Sequence, residues 1–435
     1  MPRSLTVPAR RFALTERGGS PHPPRRRAAC DDLAAGTETR RAPLGPGMLF
    51  ALALTLALAA AGCDGEAPGP APNGGDTRPA PPANWPMFHA TPDLRGAVAG
   101  PLPDALVPEW TFETEGPILG GAAVAGGRVY VGSGDFQIYA LDLATGPKIW
   151  AHTTEGEIKA VPLVLEGTVY VGSTDSRLYA LAAEDGSVRW TYETDDQIAG
   201  AANYWKPPDG GGYRILVAGY DAFLHCLDAA DGKVLWKVET GNYINGTPAV
   251  GDGLAVFGGC DGLLHVVDLA EGKETTTIDA QTYIAASPAM AGGLVYAGNV
   301  EGMFMCANPV TRWPQWKYTP EATEFFATPA VGETAVFVGG RDKRLHAIDR
   351  RFGDPLWTFA TRGDVDSSPV LVGEKVLFGS GDGRLYMVRT DDGTQVWSYD
   401  LGAAVLATPA VAGRRVVIGT DDGVLHCFTA KSKQQ

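Results

Sequence analysis

A repeat of about 40 residues constrains this sequence more than any other feature. Residues 129–150 read VYVGSGDFQIYALDLATGPKIW, and residues 169–190 read VYVGSTDSRLYALAAEDGSVRW. Successive copies are 40, 46, 40, 40, 41, 40 and 40 residues apart, and the longest interval contains the Pro- and Gly-rich insertion 205–212. An acidic residue at a predicted tight turn marks each of the eight copies: Asp135, Asp175, Asp221, Asp261, Glu301, Asp342, Asp382 and Asp422. Short apolar runs between turns at this period predict repeated units of four strands.

The tryptophans indicate how the repeats close on one another. Trp110 lies 40 residues before Trp150, but no turn-and-strand sequence precedes it, and the last repeat ends near Phe428 without a tryptophan. We therefore predict an all-β fold, an eight-bladed β-propeller of four-stranded antiparallel blades over 106–429, closed by an N-terminal strand that completes the C-terminal blade. Closure removes exposed sheet edges, and the indoles fill the wide outer space between blades. The predicted structural tryptophans are Trp110, Trp150, Trp190, Trp236, Trp316, Trp357 and Trp397, with Thr276 at the degenerate position.

The sequence before the repeats predicts a targeting signal and a tether. Residues 48–62 form a short apolar run that ends in small residues, which is typical of a secretory signal peptide. The following AAGC resembles a bacterial lipobox, in which Cys63 would carry the lipid; an ordinary signal peptide with a chance cysteine is the alternative. The other predicted segments are an upstream extension or n-region at 1–47, a lipidated cysteine with a disordered Pro/Gly/Ala tether at 63–84, an N-terminal segment at 85–105 and a tail at 430–435.

Charge excludes one class of partner. The chain has 435 residues and a formal net charge of −14, of which 1–62 contribute nine Arg against four acids, or +5, so the remainder carries −19. An acidic body repels phosphate groups, so we expect no nucleic acid ligand and no membrane contact other than the lipid anchor.

The repeat carries a family resemblance. The segment from Tyr139 to Trp150, YALDLATGPKIW, resembles the pyrroloquinoline-quinone (PQQ)-type propeller repeat, and the likeness extends over roughly 106–429. The opening NWPMFHATPDLRG, 84–96, is similar to the segment that often precedes such propellers. The resemblance implies one of two functions. Some members are quinoprotein dehydrogenases, and others are noncatalytic, notably the BamB lipoproteins of the outer-membrane barrel assembly machinery.

Cysteine and histidine positions favour the noncatalytic group. Quinoprotein dehydrogenases have adjacent cysteines that form a disulfide over the quinone, together with acidic and amide ligands for Ca²⁺, whereas this chain has no adjacent cysteines. Three cysteines occupy a repeat position that is Ala in other copies, so we predict buried packing residues: Cys226, Cys306 and Cys427. Four histidines share one position with Tyr and Met, which favours hydrogen-bonded packing over metal ligation: His225, His265, His346 and His426. We therefore predict no catalytic residue, no metal, and neither PQQ nor Ca²⁺.

The connections between blades are the least repetitive parts of the sequence, so they are the best candidates for function. They are expected to share a face with the acidic turns, and they span 113–118, 153–158, 194–198, 240–244, 280–284, 320–326, 361–365 and 400–405. Four aromatic residues in them form the predicted partner-binding site: Tyr243, Tyr283, Phe325 and Phe326. A solvated rim without a partner is the alternative.

These observations predict a noncatalytic, lipid-anchored, monomeric envelope scaffold that binds an envelope protein, with the outer-membrane barrel assembly complex as the candidate partner. The alternatives are a PQQ-dependent oxidoreductase and an extracytoplasmic sensor or ligand-binding propeller. We expect the protein to face the periplasm. The resemblance to BamB favours the outer membrane, whereas Asp64 after the cysteine favours the inner membrane under the enterobacterial sorting rule.

Overall fold

The computed structural model describes residues 82–430, which form 33 strands in eight sheets arranged as a propeller. The predicted all-β, eight-bladed architecture is confirmed. Cys63, the signal peptide and most of the tether lie outside the described residues. Within 82–430 there is no helix, and so none that could cross a membrane.

Each blade has four strands that run in order from the axis to the rim. The first strands of blades 1 to 8 are β3 (Ala122–Ala125), β7 (Leu163–Leu165), β11 (Asn203–Trp205), β15 (Ala249–Gly251), β19 (Ala289–Ala291), β23 (Ala330–Val331), β27 (Val370–Val372) and β31 (Ala410–Ala412). The second strands are β4 (Arg128–Gly132), β8 (Thr168–Gly172), β12 (Arg214–Ala218), β16 (Leu254–Gly258), β20 (Leu294–Gly298), β24 (Ala335–Gly340), β28 (Lys375–Gly379) and β32 (Arg415–Gly419).

The third and outer strands complete the blades. The third strands are β5 (Gln137–Asp142), β9 (Arg177–Ala182), β13 (Phe223–Asp228), β17 (Leu263–Asp268), β21 (Phe304–Ala307), β25 (Arg344–Asp349), β29 (Arg384–Arg389) and β33 (Val424–Ala430). The outer strands are β6 (Lys148–Thr153), β10 (Val188–Glu193), β14 (Val234–Glu239), β18 (Lys273–Asp279), β22 (Pro314–Tyr318), β26 (Pro355–Ala360), β30 (Gln395–Asp400) and, in blade 8, β2 (Leu106–Glu113). The remaining strand, β1 (Ala97–Val98), pairs in parallel with β27.

The ring closes where the sequence predicts. Strand β2 pairs antiparallel with β33, which places Trp110 opposite Cys427. Arg415 on β32 donates two hydrogen bonds to the Glu109 carboxylate on β2, at 2.6 and 2.8 Å. Blade 8 is therefore assembled from both ends of the propeller sequence, and β33 is paired on both of its edges.

Tryptophan and glycine define most of the contacts between blades. Opposite each third strand, the outer strand has a register irregularity just before its tryptophan position. Trp150 then packs on Gly186 of the next blade, where an added Cβ would lie 2.7 Å from the indole, and its Nε1 donates to the Ala183 carbonyl at 3.1 Å. The backbone φ of Gly186 is +75°, so this corner favours glycine for both conformation and space. Six tryptophans meet such a glycine: Trp110, Trp150, Trp190, Trp236, Trp316 and Trp357.

From here on, the N-terminal segment denotes residues 82–98, which overlap the predicted segment 85–105. This segment winds once around the axis, at the end of the propeller where the first and second strands are joined. The Trp85 backbone pairs with Val124 of blade 1. Pro86 and Pro92 carbonyls accept hydrogen bonds from blades 2 to 4, and those of Asp93, Arg95, Gly96 and Val98 accept from blades 5 to 7. The Pro82 carbonyl accepts from Gly413 of blade 8. The segment therefore contacts every blade and covers the axis-facing edges of their first strands.

Candidate functional site: the loop face

The connections between blades and the acidic turns lie on one face of the propeller, which we call the loop face. The backbone N–H of Glu115 donates to Asp135 at 3.0 Å, that of Glu155 to Asp175 at 2.8 Å, and that of Arg362 to Asp382 at 2.9 Å. Five of the eight turn acids accept a backbone N–H from the connection that enters their blade, so the two sets of loops hold each other in place there. The predicted shared face is confirmed.

Six of the eight turn acids also hydrogen-bond the side chain four positions later. The Tyr139 hydroxyl donates to Asp135 at 2.7 Å, and His225 Nε2 lies 2.9 Å from Asp221. Burial, together with the neighbouring carboxylate, raises the pKa of Tyr179 to about 12, so the phenol remains a donor at neutral pH. These contacts explain most of the repeated acids as structural groups, whereas Glu301 precedes Met305 and Asp422 accepts from the Thr420 hydroxyl instead of from His426.

The histidines follow the same pattern with one exception. His225 and His346 each hydrogen-bond a turn Asp and a Tyr hydroxyl. His265 contacts Asp261 at 2.9 Å and Glu274 at 2.6 Å; burial opposes protonation, but the two carboxylates outweigh it and raise the pKa of His265. His426 differs, because its buried Nε2 has no hydrogen-bond partner. In the described part of the chain, no three His, Cys, Asp or Glu side chains are grouped to hold a metal ion.

The three packing cysteines are as predicted. Cys226, Cys306 and Cys427 are free and fully buried in blades 3, 5 and 8. Burial is the main cause that raises the pKa of each thiol to about 12, so none of them is a thiolate at neutral pH. They are therefore unreactive core residues.

At the centre of the loop face, an axial cavity of about 290 Å³ opens between the ends of all eight blades. One repeat position supplies its rim, which we call the mouth ring: Leu119, Lys159, Ala199, Asn245, Ala285, Phe326, Asp366 and Leu406. Phe88 of the N-terminal segment also lines the cavity. We call this cavity the axial cup; it is bounded by all eight blades and by the N-terminal segment.

Below the mouth ring, hydroxyl groups link neighbouring blades. The backbone N–H of Ala201 donates to Thr247 Oγ1 at 3.0 Å, and that of Thr247 donates to Ser287 Oγ at 2.8 Å. The same relation continues from Ser287 to Thr328 and from Thr328 to Ser368. These hydroxyls satisfy inward-facing N–H groups that no strand pairs, and so they stabilise the ring around the cavity.

An aromatic and ionic cluster occupies one side of the mouth ring. The Arg341 guanidinium lies over the Phe326 ring, 3.5 Å from its centre. Arg341 also donates from Nε to Asp366 Oδ1 at 3.1 Å and from Nη2 to Oδ2 at 3.0 Å. The planar groups of Phe326 and Arg341 are held rigidly and remain partly exposed, which suits them to recognise another surface.

The structure separates the four predicted aromatics. Tyr243 is half-buried and stacks on Tyr220, with ring centres 5.1 Å apart and planes 7° from parallel, and Tyr283 is half-buried in the next connection. Phe325 is fully buried against Phe304, so its prediction as a partner-binding residue is wrong. Phe325 occupies the position filled by Ile in other connections, for example Ile284, and packs on the blade core for the same reason.

Sequence reasoning missed Arg341, Asp366 and Tyr220. Arg341 and Tyr220 share the position just before the turn acid, and Asp366 belongs to the mouth ring. Both positions vary among the copies while their neighbours repeat. A variable position between repeated neighbours is the signal that could have identified these residues. Positions fixed by packing keep one kind of residue in every copy, so a variable position is available for function.

The fold, the repeat and the axial cup define an eight-bladed propeller of the PQQ type. A family model described as "Outer membrane protein assembly factor BamB" matches residues 109–208, 204–275 and 260–435. The chain belongs to this family. No curated protein sequence is significantly similar to it.

Solved structures show the same fold at low identity. BamB from Moraxella catarrhalis is 19% identical with a TM-score of 0.62, covering 76% of this chain and 99% of that chain. The computationally designed Ika8 protein is 17% identical with a TM-score of 0.65, covering 73% and 98%. Quinohemoprotein alcohol dehydrogenase from Comamonas testosteroni is 14% identical with a TM-score of 0.68, covering 81% and 82%. These similarities establish the fold alone. Whether the protein has an activity must be argued from the residues of its own loop face and axial cavity.

Proposed function

We propose that this protein is a noncatalytic envelope scaffold that binds a protein partner through its loop face, in a BamB-like role in outer-membrane protein assembly. The observation that carries the proposal is the cluster of Phe326, Arg341 and Asp366 at the mouth ring. On the same loop face, Tyr243 of the connection 240–244 stacks on Tyr220 of the blade 3 turn. Rigid aromatic and arginine groups are typical anchors of protein interfaces.

Charge on the loop face favours a basic partner. Glu155, Glu324 and Asp195 are exposed in the connections, in a body that is acidic as a whole. Exposed charges of this kind increase the rate of encounter more than the final affinity, and salt screens them. The outer-membrane barrel assembly complex is the candidate partner that family membership suggests.

The residues of the axial cup do not fit the quinone alternative. PQQ is an anionic tricarboxylate, whereas the mouth ring offers one cation, Lys159, and one acid, Asp366, which Arg341 already neutralises. The free cysteines Cys226, Cys306 and Cys427 are buried in three different blades, so they cannot cover a ring system in the cup. We therefore propose that the protein uses neither PQQ nor Ca²⁺.

The test of the partner site removes its exposed aromatics. We expect Tyr243→Ala, Tyr283→Ala and Phe326→Ala together to abolish co-purification of an envelope partner from detergent-solubilised membranes, because truncating interface anchors typically costs about 2 kcal/mol or more each. The matched control replaces three exposed apolar residues of the outer rim, Ile149, Leu235 and Leu356, with Ala. Equal loss in the control, or quinone-dependent dye reduction after reconstitution with PQQ and Ca²⁺, would contradict the scaffold.

The anchor and the compartment are tested separately. We propose that Cys63 carries a lipid and holds the propeller on the periplasmic side of a membrane. Cys63→Ser should move the protein from the membrane fraction to the soluble fraction, or leave its precursor uncleaved. Separation of inner and outer membranes on a density gradient then decides between the outer membrane, which the resemblance to BamB favours, and the inner membrane, which Asp64 favours. Unchanged membrane association with normal cleavage would contradict lipidation.

A further inference from the structure

A second cavity, of about 470 Å³, lies at the opposite end of the propeller from the loop face, between blades 6 and 7. Its inner wall is apolar and formed by Val331, Phe337 and Leu371, and the N-terminal segment covers it with Val98 and Arg95. The volume falls in the range that accommodates small organic ligands.

The cavity exists because the N-terminal segment pairs along blade 7 but is bonded to blade 6 at fewer points. Ala97 and Val98 of β1 pair with Leu371 and Val372 of β27, which holds the segment on blade 7. Blade 6 has a first strand of two residues, and it is tied to the segment by a backbone hydrogen bond from the Val331 N–H to the Arg95 carbonyl. The segment therefore bridges the two blades without filling the space between them.

Arg95 gives this apolar cavity a cationic end. Its Nε is buried and has no hydrogen bond, although the side chain as a whole is 44% exposed and Nε forms an ion pair with Asp93 Oδ2 at 3.9 Å. The Thr91 hydroxyl donates to the other oxygen of Asp93, Oδ1, at 2.5 Å, so the ion pair with Arg95 is a long contact to Oδ2 alone. The two acids at the cavity mouth, Glu333 and Asp391, are exposed, and the Glu333 side chain is 93% exposed. A guanidinium that faces an apolar wall and has one nitrogen without a hydrogen bond favours an anion at this position.

We infer that this cavity binds a small amphipathic carboxylate, with its carboxylate on Arg95 and its apolar chain against Val331, Phe337 and Leu371. Arginine pairs with carboxylates through two parallel hydrogen bonds, and the free Nε provides one of those donors. A medium-chain fatty acid and the apolar C-terminal residue of a peptide present the same chemistry. This site is separate from the loop face and does not depend on the proposed scaffold function.

The test is calorimetric titration of the full mature chain with octanoate. We expect saturable one-to-one binding, no binding of acetate, which lacks the chain, and at least tenfold weaker binding of octanol, which lacks the charge. Arg95→Met should weaken octanoate binding tenfold or more, since a hydrogen bond to a charged group is lost. The matched control is Arg351→Met, an exposed arginine that does not line this cavity.

A second variant keeps the test valid if Arg95→Met fails to fold. Thr390→Phe places a ring in the cavity mouth while the Thr390 backbone carbonyl still accepts from Trp357 Nε1, and it should abolish binding. Titration with Gly-Gly-Leu then distinguishes the two kinds of ligand. A site for a fatty acid should not bind this peptide, whereas a site for the C-terminus of a peptide should bind it. Absence of saturable octanoate and peptide binding, or equal losses in Arg351→Met and Arg95→Met, would overturn the inference.

Discussion

Individual residues of the repeat have either a partner in the next blade or a partner in their own turn. Tyr179 shows the second kind, since its hydroxyl reaches Asp175 four residues earlier at 2.7 Å. Trp190 shows the first, since its Nε1 donates to the Ala229 carbonyl of the next blade at 3.2 Å. Trp236 departs from this rule. Its Nε1 is buried without a partner, and the carbonyl at the equivalent corner, Leu269, accepts from Arg214 instead.

His89 makes stability depend on pH. The ring is fully buried, its Nδ1 contacts the Leu94 carbonyl at 2.8 Å, and burial lowers its pKa from 6.5 to about 4 despite that hydrogen bond. In the unfolded chain, His89 is protonated below about pH 6.5, whereas in the folded protein it is protonated only below about pH 4. The free energy of unfolding should fall by about 3 kcal/mol over that interval from this group alone, and the group has no effect above pH 6.5.

His89→Asn tests this assignment, because Asn tolerates the positive φ of 54° at this position. We expect the variant to lose part of the pH dependence between 6.5 and 4, measured as the difference in unfolding free energy in urea at each pH. His152→Asn, at a half-exposed ring, is the control and should change the slope less. An unchanged slope in His89→Asn would contradict the assignment.

The sequence correctly predicted the role of residues that occupy the same position in several copies of the repeat. It did not predict which of two neighbouring residues in one connection is buried. The packing of Cys226 and the hydrogen-bonded ring of His346 follow from comparison of copies. Phe325 and Phe326 are adjacent and chemically identical, yet one lies in the core and the other on the mouth ring. Only alignment of the connection with its Ile-containing equivalents separates them, because side-chain direction there depends on register.

At the scale of elements, the contact between blades 4 and 5 departs from the tryptophan–glycine pattern at both of its positions. Its outer strand has Thr276 in place of tryptophan, and the facing corner has Arg312, with φ of 67°, in place of glycine. A cavity of about 190 Å³ remains there, lined in part by Val266 and Val310. The two substitutions belong together, because the Cβ of a non-glycine corner would lie 2.3 to 2.8 Å from an indole, as at the other corners.

A double-mutant cycle should measure this coupling. Thr276→Trp alone is expected to destabilise the propeller by steric conflict, whereas Thr276→Trp with Arg312→Gly should fill the cavity and relieve the positive φ. We expect an interaction free energy of about 1–3 kcal/mol between the two changes, from thermal or urea unfolding of all four variants. Thr276→Trp with Arg312→Ala is the control, since it keeps the obstructing Cβ. Additive effects would show that the tryptophan and glycine positions are independent.

For the whole molecule, the number of blades and the closure follow from counting, and the course of the N-terminal segment does not. Eight turn acids and the unaccompanied Trp110 are enough to predict the closed ring. Residues 82–98 have no repeat and no strand pattern, and most of their hydrogen bonds to the blades are made by backbone carbonyls, which any sequence carries. The apolar side chains of Trp85, Met87 and Leu94 are consistent with burial of this segment but do not indicate its path around the axis.

Three deletions distinguish the tether, the N-terminal segment and the closing strand. Deletion of 64–81 should leave the melting temperature unchanged, because a segment rich in Pro, Gly and Ala without apolar periodicity is predicted to be a tether. Deletion of 82–99 removes three fully buried apolar side chains, worth about 5–8 kcal/mol together, and uncovers the first-strand edges around the axis. Deletion of 106–113 removes β2 and with it the Trp110 packing and the Glu109–Arg415 pair that join blade 8.

We expect the second and third deletions to lower the melting temperature strongly and to differ in how they fail. Loss of β2 exposes the edge of β33 at the rim, which is a template for pairing with other chains, so this variant should aggregate or form oligomers. Loss of 82–99 leaves all eight blades complete and should yield a less stable monomer. The measurements are differential scanning calorimetry and size-exclusion chromatography with light scattering. Equal stability of the 64–81 and 82–99 deletions would contradict a structural role for the segment that encircles the axis.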